Sequence, residues 1–120
     1  MTAPNLKNPS SIIGKTAHIV APSGSIGNIL SNSVADHVFK INSIFCANIV
    51  TTGAIDISIA IYDGTNTRYL AKTISVPVDA TQIISTKDTY FYLEEGHIIQ
   101  ALAGGANSID IIIGYEDITL

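Results

Sequence analysis

The chain has 120 residues, 47% of them apolar and only 13% charged, with a formal net charge of −4. That length predicts one domain, able to bury roughly two-thirds of the surface its unfolded chain exposes. The negative balance excludes nucleic acid as the main partner, because the six basic residues (Lys7, Lys15, Lys40, Arg68, Lys72 and Lys87) are scattered and form no stripe to release phosphate counterions.

Residues 1–33 read as an extended N-terminal arm. They hold three of the four prolines, Pro4, Pro9 and Pro22, and the Gly/Ser-rich run APSGSIGNILSNS. One strand is expected there, over TAHIVA (16–21), and an arm of this kind adds to a sheet edge or lies across a neighbouring subunit. The opening MTAPNLKNPSSIIGK has no hydrophobic core region, so no secretory leader is expected. No apolar run approaches the ~20 residues of a membrane helix, so no membrane partner is expected either.

Residues 34–120 read as a β-sandwich domain. Isoleucine is roughly one residue in five or six, with Val and Thr plentiful, and β-branched side chains suit a pleated, half-buried surface. HVFKINSIFCANIV predicts a long strand with His37, Phe39, Ile41, Phe45, Ala47 and Ile49 on one face and Lys40, Asn42 and Asn48 on the other. TTG then turns the chain. AIDISIAIYD alternates strictly, Ile55, Ile57, Ile59 and Ile61 inward against Asp56, Ser58, Ala60 and Tyr62. DGTN (63–66) is a turn, and RYLAKTISV returns with Leu70, Ile74 and Val76 on one face until Pro77 stops it. TQIIS and TYFYLE follow, the latter with Phe91 and Leu93 inward. Gly96 reverses the chain after Glu94 and Glu95, and HIIQALA returns without a clear alternation. GGAN (104–107) turns into SIDIIIGYEDI, with Ile109, Ile111, Ile113 and Tyr115 on one face. Seven strands at this spacing from about residue 36, joined by turns, predict an all-β antiparallel sandwich, jelly-roll-like, behind the arm.

The motifs that suggest chemistry are incomplete. Gly14-Lys15-Thr16 ends like a phosphate loop, but Pro9 stands where its first glycine belongs and a strand follows instead of a helix. SGSIG (23–27) lacks the first glycine of a nucleophile elbow and reads as a flexible loop. His18, His37 and His97 have no zinc spacing, and YDGTN offers a calcium ion one carboxylate. Cys46 is the only cysteine and lies in an apolar run, which predicts a buried, inert thiol. Glu94, Glu95 and His97 crowd together, yet acid–base work needs a desolvated carboxylate in a cleft, and nothing in the sequence marks one. No catalytic residue, metal or cofactor is expected.

Several stretches together carry a family likeness: the opening Asn8-Pro9-Ser10-Ser11-Ile12-Ile13-Gly14-Lys15-Thr16-Ala17, then Val38-Phe39-Lys40-Ile41-Asn42-Ser43-Ile44, Pro77-Val78-Asp79-Ala80-Thr81, Tyr92-Leu93-Glu94-Glu95-Gly96 and the closing IGYEDI. In this order they resemble small virion structural proteins of tailed bacteriophages, notably phages of cyanobacteria and other aquatic bacteria. His97 departs from the Asp more usual there. The resemblance implies a non-enzymatic assembly component of the virion, put together in the host cytoplasm. Its most specific form is a capsid decoration (cement) protein, a homo-oligomer with a trimer favoured, bound to the major capsid protein or other virion proteins. The alternatives are a neck, tail or fibre-associated protein, or a host-glycan-binding sandwich using tyrosine faces. The candidate interaction residues are Asn8, Pro9, Ile12, Ile13 and Lys15 in the arm, with Asn42, Asn48, Tyr62 and Tyr69 on expected outward faces.

Overall fold

A computed structural model describes residues 5–120; the first four residues of the expected arm lie outside it. Among the described residues the strands are β1 (Ser11–Val20), β2 (Gly27–Ser31), β3 (His37–Asn48), β4 (Ile55–Tyr62), β5 (Thr67–Val76), β6 (Thr81–Ser85), β7 (Phe91–Leu93), β8 (Ile98–Ala103) and β9 (Ile109–Thr119). One sheet runs β1-β9-β3-β6, with β7 beside β6 against β3; the other runs β2-β8-β4-β5. These strands pair antiparallel throughout. The chain crosses between the sheets at every connection except β4–β5 and β6–β7, which stay within one sheet, and each sheet interleaves the two ends of the chain. That order is a double-sheet jelly roll, in which β6 and β7 together fill one strand position.

The core lies between the sheets. Ile41, Ile44 and Cys46 of β3, Ile57 and Ile59 of β4, Ile99 and Ala101 of β8, and Ile109, Ile111 and Ile113 of β9 are all buried in one cluster. Strict alternation in β4 and β9 is what delivers their isoleucines inward. In β8 the inward set is Ile99, Ala101 and Ala103, an alternation the sequence hides because Ile98 and Leu102 are apolar too. Cys46 is fully buried, and desolvation pushes its thiol up to about 12.

Three local features depart from simple alternation. First, GNILS, expected to belong to a flexible Gly/Ser-rich stretch, is β2, the edge of the second sheet against β8; residues 11–31 thus give an edge strand to each sheet. Second, β3 carries a bulge against β9 between Ile41 and Ser43. A bulge adds one residue and reverses which parity faces the core. Phe39 and Ile41 are inward before it, Ile44 and Cys46 after it, so Phe45 and Ile49 face outward and Asn48 is buried, opposite to the single unbroken alternation expected. Third, β5 is bulged twice against β4, and Thr73 there takes a positive φ of 54°. Ala71, not Leu70, therefore stands opposite Ile59, and Leu70 is exposed.

Candidate functional site

The first sheet places its least covered surface at β1 and on its outward face. β1 pairs with β9 over ten residues without a register shift. Of its side chains, Ala17 packs against the core; Ile12, Ile13, Ile19 and Val20 are 39 to 57% exposed. Directly opposed residues share a face, and the registers line up His18, Ile112, Phe45 and Ile83 across β1, β9, β3 and β6. Ile112 has inward Ile111 and Ile113 on either side, so this row points out of the sandwich. Its three large apolar members are 37 to 50% exposed. The next row, Val20, Asp110, Ala47 and Thr81, extends the patch.

At the other end of the sheet a carboxylate ties three strands together. Asp117 of β9 accepts from Lys15 Nζ of β1 at 2.8 Å and from His37 Nδ1 of β3 at 2.6 Å. Its side chain is 7% exposed. Burial pushes its carboxyl up, but the Lys15 and His37 hydrogen bonds and charges outweigh that and hold it below the usual range. The ionised carboxylate only accepts, so the proton between it and His37 sits on Nδ1. The same hydrogen bond and charge raise Lys15 above its ordinary value. Thr119 Oγ1 lies 3.5 Å from His37 Nε2, which gives a hydroxyl–imidazole–carboxylate sequence. That last distance is too long for a strong bond. Two open depressions, of about 350 and 330 Å³, lie elsewhere, beside His18 and Asp110 and beside Asp56 and Thr73. Neither is lined by His37 or Asp117; the Lys15 and His37 hydrogen bonds to Asp117 tie β1, β9 and β3 together.

Of the expected interaction residues, Asn8, Pro9, Ile12, Ile13 and Lys15 fall together at the start of β1 and just before it. Asn8 is exposed and Pro9 half-buried. The Lys15 side chain is exposed but committed to Asp117. Tyr62 and Tyr69 lie apart on the second sheet. Tyr62 is half-buried and donates to Gly64 O at 2.9 Å, while Tyr69 lies under Lys72 Nζ at 5.0 Å. Asn42 is half-buried in the β3 bulge. Asn48 is a correction: its side chain is buried and donates to Gly53 O and Val76 O. It closes the end of the core, because the bulge turns it inward.

The tyrosines expected as sugar-stacking faces are dispersed. Tyr115 stacks on Phe39 at 4.9 Å against the core, whereas Tyr90 and Tyr92 meet edge-to-face at 5.8 Å on the other side of the sheet. The Glu94–His97 cluster is a turn. His97 N donates to Glu94 O at 3.0 Å, and Gly96 has φ 84°, the positive φ that a type II turn requires at its third residue. Glu95 Oε1 accepts from Asp36 N at 2.9 Å. Buried Asn32 clamps the turn from β2's end, donating through its side chain to His37 O and Leu93 O.

Sequence reasoning missed Ile19, Val20, Phe45, Ile83 and Ile112 as surface residues. Only Ile112 left a usable signal, an isoleucine at an outward parity of a cleanly alternating strand. Among the described residues no group of three His, Cys, Asp or Glu side chains gathers as a metal would need, and no helix is long and apolar enough to cross a membrane.

No protein-family model matches the chain, and a search of curated proteins gives no match. Among solved structures it is similar to a pentameric capsid protein isolated from metagenomic phage sequences, at 16% identity and a TM-score of 0.32. The match covers 98% of this chain and 64% of that one, so the chain spans under two-thirds of the capsid protein's length. A superposition this loose carries neither fold nor function across.

Proposed function

We propose that the protein is a structural component of a phage virion, working by surface complementarity rather than catalysis. The observation that carries this reading is the outward apolar row Ile112, Phe45 and Ile83 beside the exposed isoleucines of β1. Contiguous apolar surface of this kind marks interaction sites, and an interface core is depleted in charge. A chain with 13% charged residues has much uncharged surface to offer. The jelly roll is compatible, since viral capsid domains use it, though lectins do too and a fold alone does not fix a function. The order of motifs resembling phage virion proteins narrows the choice toward the virion.

The finer form of the proposal is a capsid decoration protein, bound between major capsid subunits as a homo-oligomer, with a trimer as the assembly the resemblance favours. Asn8, Pro9, Ile12 and Ile13 at the head of β1 are its leading contacts, together with Phe45 and Ile112. The test is attachment of purified protein to particles lacking it. Phe45→Lys and Ile112→Lys replace outward side chains, so both variants fold. Each loses attachment by roughly tenfold or more, the scale of one buried, unpaired charge at an interface. Undiminished attachment of both variants rules this face out.

A further inference from the structure

The four sheet edges are not alike. β6 and β2 are five residues each and lie against register shifts, and β5 is bulged twice. Shortness and bulging are the devices that stop an edge from recruiting another strand. β1 has neither: it is ten residues long, unshifted, free of proline, and apolar on both faces near both ends. Its one charge, Lys15, is turned to Asp117 of its own chain.

The hydrogen-bond phase shows which residues are free. Ala21 N donates to Ile109 O at 2.8 Å, continuing the β1–β9 register by one residue. Antiparallel ladders alternate bonded and non-bonded pairs, so odd-numbered residues of β1 bond β9. Ile12, Gly14, Thr16, His18 and Val20 turn their N–H and C=O to the open edge.

We infer that this edge pairs with β1 of a second copy, antiparallel and two-fold, in a register centred on Thr16, making one continuous sheet across two molecules. In that register Ile12 faces Val20 of the second copy and Ile13 faces its Ile19. All four exposed apolar side chains of each strand are thereby matched, the even pairs on the outward face and the odd pairs on the inward face. Gly14 faces His18, and Lys15 faces Ala17. The five even-numbered residues supply about two backbone bonds per bonded pair. The neighbouring register, centred on Lys15, sets Ile12 against His18 and Ile13 against Ala17, so it leaves the exposed apolar side chains unmatched. The strand is thus complementary to itself in one register. The contact is isologous, so it cannot close a trimer; in a trimeric assembly it joins one trimer to the next.

Disulfide trapping on the full chain tests this. Thr16→Cys places two thiols on the two-fold axis in a bonded pair, about 5.5 Å between Cα atoms, within disulfide reach. Cys46 is buried and does not compete. Under mild oxidant, Thr16→Cys gives a reducible dimer, while wild type and Lys15→Cys do not. Adding Ile12→Lys to Thr16→Cys opposes no like charges by itself but buries a lysine against Val20; adding Val20→Lys as well opposes lysine to lysine. The triple variant slows trapping by roughly tenfold. Both positions are exposed, so these changes leave the fold intact. A Thr16→Cys chain that stays monomeric, a faster Lys15→Cys dimer, or a triple variant trapped at the unchanged rate each overturns the inference. A Thr16→Cys chain trapped only with another virion protein overturns it too.

Discussion

Asp117 is the carboxylate in both ion-pair contacts found among the described residues. Its carboxylate links Lys15, His37 and its own strand, spanning β1, β9 and β3. Because its folded pKa is depressed, its contribution is fully present above the unfolded carboxylate value, about 3.9, and is lost as pH falls through the lower folded value. Asp117→Asn should therefore cost about 1–3 kcal/mol at pH 7. The gap between wild type and variant should narrow once the pH drops below about 4. Urea midpoints at pH 7 and pH 3 check this; a gap of constant size would mean the charge on Asp117 does not matter. The sequence held no hint of this tie. Lys15, His37 and Asp117 are far apart in the chain, and only the β1-β9-β3 pairing brings them together.

The bulge in β3 decides, at the scale of the element, what is core and what is surface. Before it, odd-numbered residues face inward; after it, even-numbered ones do. Gly114 sits opposite Ser43, where an added Cβ would meet Ser43 Oγ at 2.8 Å, so a side chain there would force Ser43 to shift. Ile44→Ala should then cost about 2–5 kcal/mol as a core truncation, while Phe45→Ser, at a side chain 37% exposed, should cost less, about 1–2 kcal/mol. Chemical denaturation of the two variants distinguishes them; the reverse order would restore the unbroken alternation. The strands themselves were legible from residue 36 on, because Ile55–Ile61 and Ile109–Ile113 alternate over enough residues to define a face. The bulges were not, since one inserted residue in a run as apolar as SIFCANIV leaves the composition unchanged. β2 was hidden by the opposite effect. Its Gly and Ser neighbours signal a loop, and its strand state comes from the β8 edge it completes.

The whole molecule is an elongated jelly roll, 49 × 27 × 19 Å, whose two sheets differ in what they leave open. The second sheet ends in short or bulged edges, while the first ends in a long regular strand and carries an apolar row on its outward face. The sequence pointed to part of this site, Ile12 and Ile13, through the arm. It missed the row of Phe45, Ile83 and Ile112, because membership in a row depends on the register of four strands. It also scattered candidates that the fold separates, leaving Tyr62 and Tyr69 on the other sheet and Asn48 in the core. The reading as a virion component rests on that open surface being covered in the particle. A cryo-EM reconstruction of the parent virion measures this directly. Repeated copies of the jelly roll are expected on the particle, with Phe45 and Ile112 packed against a neighbour. A particle without the chain, or one in which that face looks into solvent, would contradict that reading.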